Sequence, residues 1–141
     1  MSIIFGVLEA KGRDADLRRL SDLASMTDRY APDGNFFRIA GRVGMGYQPY
    51  HTHQRSQVDT QPAVDQHGNM LALDGRLDNH RELSNLLEID ESASSDSSIV
   101  LAAFERWGEG CFSRLVGDWA VALWSSRDQT LYLARDHAGS R

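Results

Sequence analysis

The run Trp119-Ala120-Val121-Ala122-Leu123-Trp124 constrains this chain more than any other six residues. It is apolar at odd and even positions alike, so a strand built from it must be covered on both faces. Ser126-Arg127-Asp128-Gln129 predicts a hairpin turn, and the segment 130–135 supplies the partner strand. Residues 2–8 are similarly β-rich and nearly continuous in apolar character, which predicts a buried strand starting at the second residue. Such strands, interleaved with helical patterns, call for layered α+β packing.

A chain of 141 residues suffices for one domain with a substantial core. Its net charge of −5 leaves out the electrostatic footprint of a nucleic-acid binder, so no nucleic-acid partner is expected. Arg18-Arg19 falls inside a helical pattern and reads as a solvated face. No apolar run approaches the roughly 18 residues of a membrane span, and the N-terminus lacks the pattern of a signal peptide. A cytoplasmic location without a membrane partner is the expectation. Cys111 is the sole cysteine, which excludes an internal disulfide and a cysteine-based zinc cluster. Its apolar neighbours predict a buried, structural thiol.

Asp14 or Asp16 opens a predicted helix with Leu17, Leu20, Leu23 and Met26 on one stripe. Pro32-Asp33-Gly34-Asn35 is a turn, and residues 36–46 read as one strand. The polar segment 48–68 carries His51, His53 and His67. The His51-x-His53 spacing would put both imidazoles on one side of a strand. With no carboxylate or thiol fixed nearby to complete a shell, exposed loop histidines and no metal site are the expectation.

Leu71-Ala72-Leu73-Asp74-Gly75-Arg76-Leu77-Asp78-Asn79-His80-Arg81-Glu82-Leu83 reads as a buried strand, a turn built on Asp74-Gly75, and a helix start. Asn79 and Glu82 have the spacing of a capping box. Leu83, Leu86 and Leu87 mark the inner face of that helix. The acidic, serine-rich stretch 91–98 ends in a cap. Ile99, Val100, Ala103, Phe104 and Trp107 then form the inner stripe of a second helix, stopped at Gly108 or Gly110. Cys111-Phe112-Ser113-Arg114-Leu115 adds one more helical turn.

Several of these segments resemble the class II glutamine amidotransferases. Met1-Ser2-Ile3-Ile4-Phe5-Gly6-Val7 is similar to their Met-Cys-Gly-Ile start. Leu73-Asp74-Gly75-Arg76-Leu77-Asp78-Asn79-His80 resembles their Asn-Gly-Glu-Ile-Tyr-Asn-His segment, and Ser95-Asp96-Ser97-Ser98 their Thr-Asp-Ser-Glu helix start. Residues 112–124 and 133–141 resemble the segments shared by asparagine synthetases. The resemblance implies a four-layer αββα sandwich of the N-terminal-nucleophile hydrolase type. It further implies that residues 1–141 are an incomplete glutaminase-like domain, with an ATP- and Mg-dependent synthetase domain expected C-terminal to it. Within this chain itself no cofactor is expected. The implied partners are that synthetase domain and a small-molecule or peptide substrate, with a homodimer as the candidate assembly.

Glutamine hydrolysis on such a fold needs an N-terminal nucleophile whose α-amine is the base. It also needs an oxyanion hole of a neutral amide and a Gly N–H, an arginine for the substrate carboxylate, and an acid for its ammonium group. By resemblance these roles fall on Ser2, on Asp74 with Gly75, on Pro49, and on Asp96. Gly75 and Asp96 keep the family's residue type. Ser2 replaces a thiol by a poorer nucleophile, Ile3 replaces a glycine, Pro49 stands in place of an arginine, and Asp74 places an acceptor where a donor is required. A retained Met1 would also deny Ser2 its free amine. The substitutions resemble those of β-lactam synthetases and lasso-peptide cyclases, whose N-terminal domain is a scaffold. The expectation is therefore a degenerate site with no active catalytic residue and a vestigial Asp96. The alternatives are an active glutamine amidotransferase (a glutamine-hydrolysing asparagine synthase) using Ser2, and a non-enzymatic interaction module.

Overall fold

The computed structural model describes residues 1–51 and 54–141, with Gln54 described by its backbone alone. In chain order the elements are β1 (Ile3–Leu8), α1 (Leu17–Ser25), β2 (Phe36–Ala40), β3 (Val43–Gln48), α2 (Gln54–Val58) and β4 (Ala63–Val64). There follow β5 (Met70–Leu77), α3 (His80–Leu87), α4 (Asp96–Trp107), β6 (Gly117–Ser125) and β7 (Thr130–Arg135). Short 3₁₀ turns occupy Asp28–Tyr30, Glu91–Ala93 and Gly108–Arg114.

Two antiparallel sheets form, in the orders β1-β3-β2 and β4-β5-β6-β7. They face each other through Val43 and Met45 on one side and Met70, Ala72 and Trp124 on the other. The opposite face of β5 and β6, carrying Leu71, Leu73, Val121 and Leu123, packs on Leu83 of α3 and on Ile99, Val100, Ala103 and Phe104 of α4. With α1 lying on the first sheet, the layers run helix, sheet, sheet, helices: the αββα sandwich that the resemblance implies. The two-sided character of β5 and β6 follows from this placement, since each strand faces a sheet on one side and helices on the other.

The sequence of β3 shows how α1 is seated. Val43, Met45 and Tyr47 alternate with Gly44 and Gly46, and all are buried. A Cβ on Gly44 would lie 2.9 Å from Leu20 Cδ1, and one on Gly46 would lie 2.2 Å from the Phe5 ring. Glycines on this face make room for one leucine of α1 and one aromatic ring of β1.

Several expectations change in the structure. The segment 36–46 is two strands, because Gly41, at φ +58°, turns the chain between β2 and β3. The strand β1 is half-buried, since it is an edge of its sheet. On α1, Asp16 is the cap, its side chain accepting from the Arg18 N–H. Leu20 and Ala24 face inward at a spacing of four, whereas Leu17, Leu23 and Met26 are exposed. Leu86 also faces solvent. Asp74-Gly75 is no turn: β5 runs through it to Leu77, paired to β6 throughout. Gly75, at φ +137°, permits a contact in which a Cβ would lie 2.0 Å from the Asp118 carbonyl oxygen. Asn79 does not cap α3 with its side chain. It accepts the Val116 N–H at 3.0 Å and donates to the Arg114 carbonyl at 2.9 Å, tying the helix start to the approach to β6.

Other expectations hold. The hairpin β6–β7 forms as read. Ser95 caps α4 in a reciprocal pair with Ser98, and Gly108 ends it. Cys111 is fully buried. No helix among the described residues is long and apolar enough to cross a membrane.

Candidate functional site

Antiparallel pairing of Ile3 with Gln48 carries the start of β1 to the end of β3. It leaves Ser2 beside the exit of the latter strand. There the Tyr50 N–H donates to Ser2 Oγ at 3.0 Å, and the Tyr47 hydroxyl lies 3.3 Å from the same oxygen. Asp74 shares a face of β5 with Met70 and Ala72, the face turned to the first sheet. The backbone N–H of Ser2 donates to Asp74 Oδ1 at 2.7 Å. Arg141 Nη1 lies 3.7 Å from Asp74 Oδ2.

Asp74 is nearly buried, at 6% exposure. Burial pushes its carboxyl above the ordinary carboxylate value, against the pull of the Ser2 N–H and the Arg141 guanidinium. Burial likewise raises the Tyr47 phenol. The contact with Ser2 acts in the opposite direction, and the negative charges of Asp59, Asp74 and Asp33 add to the rise. Tyr47 is thus a neutral phenol beside the Ser2 hydroxyl.

Asp96, the first residue of α4, is buried under the end of β5. Its Oδ2 accepts the Leu77 N–H at 3.2 Å, while Oδ1 lies 3.5 Å from Arg55 Nε and 3.8 Å from His80 Nε2. Arg55 also donates through Nη2 to the Leu77 carbonyl at 3.0 Å. An open cleft of about 590 Å³ is lined by Arg55, Val58, His80, Asp90, Glu91, Ser92 and Ser94. Pro49 is buried and lines a separate recess of about 140 Å³ with Phe36, Tyr47, His51, Gln57 and Asp59. It offers no charge to a carboxylate.

The strand carrying Asp74 is also held from its other side. The Gln61 side-chain amide accepts the Leu73 N–H at 2.6 Å and returns a donor to the Leu73 carbonyl at 3.1 Å. Asp59, beside it, accepts from Gln61 Nε2 at 3.1 Å and from the Ser97 hydroxyl. Sequence reading missed Tyr47, Tyr50, Arg55, Gln61 and Arg141. All act across long stretches of chain, and nothing in their local pattern sets them apart.

His51 is half-buried, with its N–H on Asp33 Oδ2 at 2.9 Å, while His67 is exposed and 2.7 Å from Glu105. His53 lies outside the described residues. Among the described residues no three His, Cys, Asp or Glu side chains are grouped to hold a metal ion.

Residues 1–141 match the family model described as a glutamine amidotransferase domain. The chain belongs to that family. This amidotransferase domain is similar to asparagine synthetase B [glutamine-hydrolyzing] of Escherichia coli (strain K12), at 25% identity over 99% of the chain and 26% of the relative. It is also similar to asparagine synthetase [glutamine-hydrolyzing] 2 of Bacillus subtilis (strain 168), at 21% over 96% of the chain and 18% of the relative. A putative asparagine synthetase [glutamine-hydrolyzing] of Mycobacterium tuberculosis (strain ATCC 25618 / H37Rv) is 31% identical over 63% of the chain and 14% of the relative. The amidotransferase domain thus spans about a seventh to a quarter of the curated relatives it matches. Among solved structures, the glutamine phosphoribosylpyrophosphate amidotransferase of B. subtilis, complexed with ADP and GMP, superposes with a TM-score of 0.67. That match covers 99% of this chain and 38% of that chain at 16% identity, a likeness of fold.

Proposed function

We propose that this amidotransferase domain does not hydrolyse glutamine, and that it serves as the framework of an ATP-dependent amide-forming synthetase of the asparagine synthetase family. One observation carries the reading: the carboxylate of Asp74 stands 2.7 Å from the nitrogen of Ser2. With Met1 in place that nitrogen is a peptide N–H, without a lone pair to act as base. With Met1 removed it would be an α-ammonium held by an adjacent carboxylate, which favours the charged form and keeps the proton a base must shed.

The same carboxylate opposes the reaction at the carbonyl end. A tetrahedral intermediate needs a donor beside the Gly75 N–H, whereas Asp74 presents an acceptor that already takes the Ser2 N–H. Loss of one oxyanion donor costs about 2.7–4 kcal/mol, on the order of a hundred- to a thousandfold in rate, and a negative charge adds to it. Pro49 supplies no cation for a substrate carboxylate, and Asp96 is already paired with Arg55.

The carboxylate and amine joined by the parent enzyme, a small molecule or a peptide, would meet in the synthetase portion. That portion would also hold ATP and Mg²⁺, and no step in this domain runs through them. A cytoplasmic homodimer is the working context.

The test is ammonia release from glutamine by the purified intact protein. We expect background rates, unchanged in Ser2→Ala, with amide formation supported by the enzyme's own amine substrate. Turnover that disappears in Ser2→Ala would overturn the reading. A second reading, with Ser2 as an active nucleophile, is favoured by the two partners that fix its Oγ, Tyr47 and Tyr50. Intact mass spectrometry showing Met1 retained would end it.

A further inference from the structure

We propose that the recess bounded by Phe36, Tyr47 and Asp59 binds one small organic ammonium ion. The proposal goes beyond the reading of this domain as a framework, and it holds whether or not Ser2 reacts. Phe36 of β2 and Tyr47 of β3 are direct partners across the first sheet, so their side chains leave it on one face. Phe36 is 48% exposed and Tyr47 4%, so solvent reaches one ring while the other lies within. The segment ahead of β4 lines the same recess through Asp59, and Pro49 and His51 add to its walls. At about 140 Å³ it is smaller than the roughly 300–1,000 Å³ of a drug-sized pocket, so its ligand is small.

The charge of the recess selects a cation. Asp59 is half-buried and accepts from Gln61 Nε2 at 3.1 Å, from the Ser97 N–H at 3.4 Å and from the Ser97 hydroxyl. All three donors are neutral, and among the described residues no basic side chain pairs with this carboxylate. A carboxylate so placed gains from a positive charge beside it. No lysine or arginine is among the described residues that line the recess. Burial is the main cause that raises the Tyr47 phenol, and the charges of Asp59, Asp74 and Asp33 add to it, so the potential at this ring is negative. Two rings, a proline and one carboxylate suit a weakly hydrated organic cation, whose apolar skin meets the rings while its charge meets Asp59. A metal ion would ask for several oxygen ligands instead, and among the described residues no three His, Cys, Asp or Glu side chains are grouped to supply them.

The experiment titrates the full protein with tetramethylammonium at pH 8 and constant ionic strength, following the methyl signal of the probe by NMR. The control is tert-butanol, which is of similar size and uncharged. We expect saturable binding of one tetramethylammonium with a dissociation constant on the order of millimolar, and no binding of tert-butanol. Phe36→Leu, an apolar replacement on a half-exposed edge strand, should weaken that binding about three- to thirtyfold. Asp59→Asn should weaken it about tenfold. Absence of saturation below about 100 mM overturns the proposal. Equal binding of tert-butanol, or an unchanged affinity in either variant, overturns it as well. Should a variant fail to fold, wild type decides alone. Overhauser contacts from the probe's methyl groups to the ring protons of Phe36 and Tyr47 support the site, and their absence refutes it.

Discussion

Asp74 Oδ1 and the backbone nitrogen of Ser2 lie 2.7 Å apart, joining the start of the chain to the middle of the second sheet. Burial places the folded-state carboxyl of Asp74 above its ordinary value of 3.8. The native state therefore holds that proton to higher pH than the unfolded chain does, and stability falls as pH rises from that value through the raised one. Asp74→Asn keeps an oxygen for Ser2 and has no proton to lose. The Tm of the variant minus that of wild type should grow as pH rises through this window. A difference constant with pH would contradict the assignment.

Gly75→Ala tests the close approach of β5 to β6. The added Cβ meets the Asp118 carbonyl oxygen at 2.0 Å, from a backbone at φ +137° that an L side chain rarely adopts. Strain and overlap together should cost about 2–5 kcal/mol in urea unfolding. A loss below about 1 kcal/mol would show that the strands part easily here.

Cys111 should resist alkylation. Burial pushes its thiol up to about 12, from 9.0. The thiolate, the form that attacks iodoacetamide, is therefore scarce in the native protein at pH 8, and the sulfur is shielded. Labelling should follow unfolding, with full modification in denaturant. The unfolded chain gives up this proton first, so stability should decline between about pH 9 and pH 12. Fast labelling of the native protein would place the thiol elsewhere.

Gln61→Ala should cost about 2–5 kcal/mol, because it removes partners from both the N–H and the carbonyl of Leu73, a buried residue. Gln61→Glu tests the same contact with little change of shape. Its carboxylate can accept from Leu73 but cannot donate to it, and it faces the Asp59 carboxylate that now takes the Gln61 N–H, so its loss should exceed that of alanine at neutral pH and should shrink as pH falls toward the carboxyl's pKa. Equal, pH-independent losses would point to packing instead.

Much of the fold was legible where local chemistry and tertiary demand agree. The two-sided apolar run of β6, the hairpin into β7, the Ser95 cap of α4 and the burial of Cys111 each state their surroundings in their own residues. The Asp74-Gly75 pair misled because Asp-Gly is a turn dipeptide by local preference, whereas pairing with Ala120 and Trp119 keeps it in a strand. The spacing of three in α1 gathered leucines that face solvent, since Gly44 leaves space for Leu20 rather than for its neighbours. The candidate site was read at Ser2, Asp74, Gly75 and Asp96. Its closing arginines were not, because Arg55 and Arg141 lie 41 and 67 positions away from the acids they meet, counted from Asp96 and Asp74.

The amide of Gln61 also bears on the edge of the second sheet. β4 covers its neighbour over two residues, Ala63 with Leu71 and Val64 with Met70, and past that point β5 would expose a bare row of donors and acceptors. By presenting one acceptor and one donor in the manner of a peptide group, a single side chain stands in for the missing neighbour at Leu73. It blunts the place where a foreign strand would otherwise zip on. The contact that steadies β5 from within also leaves a foreign strand fewer free groups to pair with at this edge.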